Sequence, residues 1–203
     1  MFRLIKITFN AFLLVLAIIG FNAIGGQKYV EMAKTHIGSF IQQRVAENAK
    51  KLGDFSNLHE EFQIDNTFSL MGYKAVLAEH KVSGQKMCIV DTGKKPLLTT
   101  ADIQGAGLEE KLQNLAKNIK YQAISFQDVK VISRGNIQAY GKTVPYAKFE
   151  AKANRFPVSD LAGIVGCVKT SDGSDRIILS VSEKKKYSQL IAEEFFKNVH
   201  EGR

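Results

Sequence analysis

The sequence predicts an α+β domain with an antiparallel β-sheet covered by helices, preceded by an N-terminal transmembrane helix and an amphipathic helix. Three observations lead to this prediction. Residues 7–24 carry no charge, residues 27–53 carry apolar side chains at helical spacing, and the rest of the chain holds many strand patterns but only two helix patterns. We therefore divide the chain into a membrane anchor (1–26), a juxtamembrane helix (27–53) and an α+β domain (54–203).

The composition of the 203 residues is that of a globular protein. Apolar residues make up 45% and charged residues 24%, which is enough apolar material to exclude extensive disorder. Two cysteines are too few for a disulfide scaffold. The net charge is +8, and residues 1–53 supply most of it. The domain itself is nearly balanced, so nucleic-acid binding is not expected.

The uncharged run from Ile7 to Ile24 predicts a membrane anchor. As a helix it would extend over about 27 Å, close to the hydrocarbon thickness of a bilayer. Arg3 and Lys6 precede it, which favours a cytoplasmic N-terminus and an exported domain. The expected protein is single-pass, with its domain in the periplasm or on the cell surface. The alternative is a signal peptide cleaved near Ala23-Ile24-Gly25, which would release a secreted protein.

The helix pattern of residues 27–53 has one apolar stripe. Ile37, Phe40, Ile41 and Val45 form its predicted contact face. Burial of each large side chain is worth about 1.5–3 kcal/mol, so this face needs a cover. The sequence leaves three alternatives for what packs on this face: the domain, the membrane surface, or a second copy of the chain through self-association.

Within the domain, the strand patterns are separated by turn residues. Ser83-Gly84 and Asp172-Gly173 are predicted hairpin turns, residues 91–107 are a predicted loop, and residues 54–72 allow one short strand. The other predicted strands are 73–82, 85–91, 126–133, 137–140, 144–153, 162–170 and 176–181, and the predicted helices are 108–120 and 185–200.

The order of elements in the domain, a strand hairpin, a helix and then an antiparallel strand run before the last helix, resembles that of a known family. The segments YAKFEAKA (146–153), IILSVSE (177–183) and KKKYSQLIAEEFFKNV (184–199) follow one another. This order is similar to that of the PsbP-like family of photosystem II extrinsic subunits and their bacterial relatives, over about residues 60–200. The resemblance implies an α-β-α sandwich and a mostly noncatalytic role in binding or assembling other proteins, with metal binding in some members.

Cys88 and Cys167 each lie inside an apolar strand pattern. Two alternatives are open: buried core thiols, or one disulfide between neighbouring strands with Cα atoms about 4.4–6.8 Å apart. Neither cysteine has a CxxC partner or a nearby histidine, so no redox or nucleophilic role is predicted.

Sequence motifs for catalysis, cofactors and metals are missing. His36, His59, His80 and His200 do not have metal-ligand spacing, and Gly105-Ala106-Gly107 does not continue into a phosphate loop. We therefore expect no catalytic residue, no cofactor and no metal. The predicted function is a noncatalytic, membrane-tethered envelope domain that binds a protein, peptide or lipid partner, for example in the assembly of a membrane complex. The alternative is an enzyme or small-ligand-binding protein whose site is assembled from scattered residues.

Overall fold

The computed structural model describes residues 45–70, 73–93, 96–117, 125–154 and 160–202. They form an α+β domain built on an antiparallel seven-stranded sheet with the order β1-β2-β3-β7-β6-β5-β4. The α+β class and the antiparallel sheet predicted from the sequence are confirmed. The strands are β1 (Phe62–Leu70), β2 (Tyr73–His80), β3 (Lys86–Asp91), β4 (Ser125–Ala139), β5 (Lys142–Asn154), β6 (Asp160–Lys169) and β7 (Asp175–Glu183); the helices are α1 (residues 45–50), α2 (Thr100–Gln104), α3 (Leu108–Lys117) and α4 (Gln189–Lys197).

The central strands read as nearly continuous apolar runs. The sequences KMCIVD of β3 and DLAGIVGCVK of β6 are buried along most of their length, which is typical of strands with both faces covered. β7 lies between these two strands and pairs antiparallel with each. The edges of the sheet are β1 and β4.

The chain crosses the sheet once. After β3, α2 and α3 carry the chain across one face to the far edge, where β4 begins. Then β5, β6 and β7 return strand by strand to the centre. The crossing places α2 against β5 and β6, and α3 along β4.

We name one side of the sheet the C-terminal face because α4 packs on it. Met87, Ile89 and Ile178 point to this side and share one apolar core with Phe195 and Phe196. α1 belongs to this side as well, since Ala49 and Leu52 pack with Val76 of β2.

The opposite side is the α2–α3 face. Leu77, Cys88 and Leu179 of the sheet share a core with Ile103 of α2 and Leu108 of α3. Successive residues of a strand point to opposite sides, so Val76 and Leu77 belong to different cores. Helices therefore lie on both faces of the sheet.

Two strand boundaries in the structure differ from those predicted, because pairing between strands sets them. β4 runs without a break through Gly135, where the sequence suggested two strands, because β5 pairs along its whole length. Register shifts near Asp128 and Ile132 absorb the extra residues as β-bulges. The turn between β2 and β3 holds residues 81–85 and is longer than the predicted two-residue turn.

Two other differences concern helices. The predicted loop 91–107 contains α2, which begins with a capping box in which Thr99 and Asp102 bond each other's backbone N–H groups. α4 begins at Gln189 and not at Lys185, because residues 184–186 form a turn after β7.

Residues 1–44 lie outside the described residues, and they include the predicted anchor and most of the predicted amphipathic helix. In the part of the chain that the structure describes, no helix has both the length and the hydropathy that crossing a bilayer requires. The end of the predicted amphipathic helix is present as α1, and Gly53 follows it as predicted.

Candidate functional site

Cys88 and Cys167 are buried free thiols. Cys88 pairs with Leu179 of β7, and Cys167 pairs with Ile177 of the same strand. One strand therefore lies between them, which separates their backbones by about 9.5 Å. A disulfide does not form beyond about 7 Å between Cα atoms. Of the two alternatives that the sequence left undecided, the structure thus supports two core thiols and not a disulfide.

The environment of both thiols disfavours the reactive thiolate. Burial raises the pKa of Cys88 well above its usual value. Burial, helped by the nearby carboxylates of Asp175 and Asp102, raises the pKa of Cys167 to about 12. Cys167 Sγ also donates to the Leu98 carbonyl oxygen at 3.3 Å. Both side chains act as small apolar residues of the α2–α3 face at neutral pH.

Of the predicted contact face, Ile37, Phe40 and Ile41 lie outside the described residues. Val45 is half-buried in α1. One turn later, Ala49 is buried against the sheet. The end of this helix is therefore covered by the domain.

The polar cluster nearest to a catalytic arrangement is Glu61, His80 and Ser83. Glu61 Oε2 lies 3.3 Å from His80 Nε2, and Ser83 Oγ lies 3.0 Å from His80 Nδ1. The Ser83 N–H also donates to Nδ1, at 3.3 Å. That contact makes Nδ1 the acceptor and assigns the ring proton to Nε2, which donates to Glu61.

This cluster lacks the remaining parts of a nucleophilic site. An acyl-transfer serine needs backbone N–H groups aimed at the developing oxyanion. On this turn, the N–H groups of Ser83 and Gly84 bond His80, and that of Gln85 bonds Ser83 Oγ. All three donors are used within the turn, so the geometry supports a turn-stabilising role.

A second ionic cluster lies on the α2–α3 face, at the β1–β2–β3 end. The buried Lys86 Nζ lies 3.2 Å from Asp65 Oδ2 and 2.5 Å from Glu79 Oε2. Asp65 is the extra residue at the register shift in β1, so Lys86 holds this bulge against the sheet. Among the described residues, no group of three or more His, Cys, Asp or Glu side chains is arranged to hold a metal ion.

Arg176 and Tyr140 converge on one backbone carbonyl at the end of α1. The Tyr140 hydroxyl donates to the Leu52 carbonyl oxygen at 2.6 Å, and Arg176 Nη1 donates to the same oxygen. Arg176 Nη2 donates to Asp172 Oδ2 at 3.2 Å, and its guanidinium carbon lies 5.2 Å from the centre of the Tyr140 ring. Arg176 is only 5% exposed, so its bond to the buried Leu52 carbonyl is shielded from water, whereas its partner Asp172 is exposed.

The charges of this cluster follow from its surroundings. Burial raises the pKa of Tyr140 to about 12, even though Arg176 acts in the opposite direction. Hydrogen bonds from Thr170 and Ser174 hold the pKa of Asp172 far below its usual value. At neutral pH, Tyr140 is a neutral donor and Asp172 is an ionised partner of Arg176.

The first part of the β4 edge is covered by side chains of α3. The Val129 N–H donates to Gln113 Oε1 at 2.9 Å, and the Val131 N–H donates to Glu109 Oε2 at 2.8 Å. Four helical residues advance about 6.0 Å and two strand residues about 6.6 Å. Because these repeats match, the two α3 side chains substitute for the carbonyls of a neighbouring strand.

The rest of this edge, residues 132–138, we name the open edge. Ile132, at the bulge, is 51% exposed. In an antiparallel pair, every second residue of a strand directs its backbone N–H and C=O groups away from the partner strand. Counted back from the turn at Tyr140-Gly141, the residues of β4 that do so are Arg134, Asn136 and Gln138. These three side chains are exposed. In the described part of the chain, no hydrogen bond to their outward N–H groups is found.

No protein-family model matches the chain, and no curated protein matches it. The resemblance to the PsbP-like family therefore stays a prediction from the sequence pattern.

Sequence reasoning missed the Leu52 cluster and the open edge. Two signals for the cluster are present in the sequence. Arg176 opens the otherwise apolar run IILSV, and Tyr140 occupies a two-residue hairpin turn in which asparagine is the usual choice before glycine. The open edge carries no signal, because strand order decides which strand lies at the edge.

Proposed function

We propose that this protein is a noncatalytic, membrane-tethered envelope domain that binds an extended segment of a partner protein along its open edge. The observation that carries the proposal is the contrast within β4. α3 satisfies the outward N–H groups of Val129 and Val131, whereas no described residue bonds those of Arg134, Asn136 and Gln138.

The occupant follows from the chemistry of an edge strand. Outward N–H and C=O groups of Arg134, Asn136 and Gln138 repeat every two residues, and an extended backbone is the ligand that matches this repeat. Ile132 offers an apolar contact at one end of the row. The partner is therefore an extended peptide of about five residues that carries an apolar side chain near the end that meets Ile132.

The noncatalytic part of the proposal is supported by where the polar side chains point. Tyr140 and Arg176 bond the Leu52 carbonyl, and His80 is engaged with Glu61 and Ser83. Each cluster is directed at the protein's own chain. The PsbP-like resemblance implies the same class of function.

The tether is supported by the sequence. The uncharged run Ile7–Ile24, with Arg3 and Lys6 before it, favours an anchor and an exported domain. A secreted form after signal-peptide cleavage is the alternative. In either form, the partner would be bound at the membrane surface or in the envelope.

The test is crosslinking and affinity capture of the full chain from its native membranes. Asn136→Pro removes one outward N–H and places a ring where the added strand would lie, at an edge position that tolerates proline. Asn136→Ala is the matched control, because it keeps the backbone N–H. Ile132→Lys is a second variant that leaves the ladder intact and places a charge on the edge.

We expect Asn136→Pro and Ile132→Lys to lose the captured partner while Asn136→Ala keeps it, with all three variants as folded as the wild type by circular dichroism. Capture that is unchanged in both edge variants would refute strand addition, and capture of only a second copy or of lipid would replace the proposed partner. Recovery of the chain in the soluble fraction after an alkaline wash would refute the tether.

A further inference from the structure

Leu52, Tyr140 and Arg176 form a contact that joins the N-terminal segment to the sheet. Leu52 follows the last turn of α1, where backbone carbonyls lack helical partners and the helix dipole is negative. Two buried donors, from the β4–β5 turn and from β7, meet at this one carbonyl. The positive guanidinium at a helix C-terminus adds a favourable charge interaction.

Two residues of this contact carry a local energetic cost. Tyr140 has a φ of 55°, in the left-handed region that disfavours residues other than glycine, asparagine and aspartate. Arg176 Nε is buried and has no hydrogen-bond partner in the described part of the chain, which is unfavourable. The two-residue β4–β5 turn requires a positive φ at the Tyr140 position, where asparagine or glycine would be less strained. A tyrosine here instead places its hydroxyl on the Leu52 carbonyl oxygen.

Residues 50–54 pack closely against residues 199–202, and we call this contact the seam. The Asp54 N–H donates to the His200 carbonyl oxygen at 2.9 Å, and the His200 N–H donates back to the Asp54 carbonyl oxygen at 3.1 Å. A Cβ atom on Gly53 would lie 2.9 Å from Val199 Cγ1, and one on Gly202 would lie 2.7 Å from the Lys50 carbonyl oxygen. The end of α1 is thus held by the C-terminal residues as well as by the sheet.

We propose that Leu52, Tyr140 and Arg176 form a latch that fixes the end of α1 on the domain. The latch then fixes the point at which the chain enters the domain and the orientation of the end of α1. That this fixed point is where a membrane anchor would join the domain rests on the proposed function. The latch itself rests only on the contacts of the described residues.

Trypsin cleavage of the full chain tests the latch. Lys50 and Lys51 are exposed, but cleavage after Lys51 requires Leu52 and Gly53 to leave the domain and enter the protease. Tyr140→Phe removes one of the two donors and keeps the ring. Gly53→Ala opens the seam at a second point. Tyr146→Phe is the matched control, because its hydroxyl lies on the same face and contacts Gln189 of α4.

We expect Tyr140→Phe and Gly53→Ala to be cut after Lys50 or Lys51 about tenfold faster than the wild type, which corresponds to the loss of about one hydrogen bond. The fragment that begins near Leu52 should remain intact, and Tyr146→Phe should be cut at the wild-type rate. Equal cleavage of all four proteins would overturn the latch. So would acceleration that is equally large at lysines inside the sheet, because it would indicate loss of the whole fold. Neither result depends on a partner, so the latch and the partner proposal can fail separately.

Discussion

On the C-terminal face, buried polar side chains reach from the sheet and its turns to the backbone of the segments that pack on it. On the α2–α3 face, the buried contacts between the sheet and its helices are mainly apolar. Arg176 and Tyr140 bond the Leu52 carbonyl. Gln85, fully buried, donates to the Ser188 carbonyl oxygen at 2.8 Å and accepts from the Ser188 N–H at 2.9 Å, just before α4. On the other face, Arg134 bonds the α2 carbonyls from an exposed position.

The difference teaches how each cover is positioned. The free energy of apolar burial is roughly proportional to the buried area and has no preferred direction. The positions of α2 and α3 are therefore set only by how closely their side chains fit those of the sheet. A buried hydrogen bond has a narrow range of distances and angles, and an unmade one is unfavourable. α1 and α4 are therefore held in one register.

The largest expected effect comes from emptying either core. Phe195 of α4 is 0% exposed, and its ring centre lies 5.4 Å from that of Phe62 and 5.2 Å from that of Phe196. Phe195→Ala should lower the free energy of unfolding by about 3–5 kcal/mol. Ile103→Ala, which empties the α2–α3 face, should lower it by about 2–5 kcal/mol. Urea denaturation followed by circular dichroism measures both.

Leu190→Ala is the control for these two variants. Leu190 is also on α4 but is 74% exposed, so its loss should change the free energy of unfolding by less than about 0.5 kcal/mol. If Phe195→Ala were as mild as Leu190→Ala, the packing of α4 on the sheet would be incorrect and the comparison of the two faces would lose its basis.

A smaller effect, specific to the C-terminal face, is expected at high pH. Burial raises the pKa of Tyr140 from about 10 to about 12 in the folded protein. The folded state therefore holds the phenol proton more tightly than the unfolded state does. The stability that Tyr140 contributes is fully present below pH 10 and is lost as the pH rises from about 10 to about 12. Two pKa units correspond to about 2–3 kcal/mol.

The measurement is the free energy of unfolding of the wild type and of Tyr140→Phe between pH 9 and pH 12. The wild type should lose more stability than the variant over this range. Other buried phenols, such as Tyr187, titrate in both proteins and cancel in the difference. Parallel pH profiles would mean that Tyr140 is not buried against Arg176 as described.

These predictions also mark what the sequence reveals of the fold. The sheet was predictable because local patterns encode it: the runs of β3 and β6 are apolar, and Asp172-Gly173 separates β6 from β7. The continuity of β4 was not, because the polar segment around Gly135 looks like a turn and only pairing with β5 extends the strand through it. α2 was missed because five residues with one buried apolar side chain give little periodicity.

The candidate site was less predictable than the fold, for a physical reason. The Leu52 carbonyl and Arg176 are 124 residues apart in the chain, and no local spacing encodes such a contact. The same holds for the cysteines: each strand pattern was recognised, but the insertion of β7 between the two strands depends on the order of the sheet. The exposure of residues 132–138 depends on that order as well.

The smallest expected effect concerns the α2–α3 face, and the two thiols report on it. Cys88 and Cys167 are buried, and their raised pKa values leave little thiolate at pH 8. A thiol reagent can reach them only when the cover of Leu98, Ile103 and Leu108 opens. We expect the native protein to react at least about 100-fold more slowly than the unfolded chain, since native states populate open forms rarely. Cys88→Ala and Cys167→Ala assign the rate of each thiol.

α2 and α3 are held mainly by apolar contacts, whereas α1 and α4 are also held by buried hydrogen bonds. If α2 and α3 therefore move more freely, they should detach from the sheet without unfolding the rest of the domain. Ile103→Ala should then raise the thiol reaction rate about tenfold more than Phe195→Ala does, after urea has brought the two variants to equal global stability. A tenfold difference corresponds to about 1.4 kcal/mol of local opening free energy. Equal rates would mean that the two faces open together, because exposure would then occur only through global unfolding. In that case the polar contacts of the C-terminal face hold the whole sheet and both of its covers, and the difference between the faces would be one of chemistry without a difference in mobility.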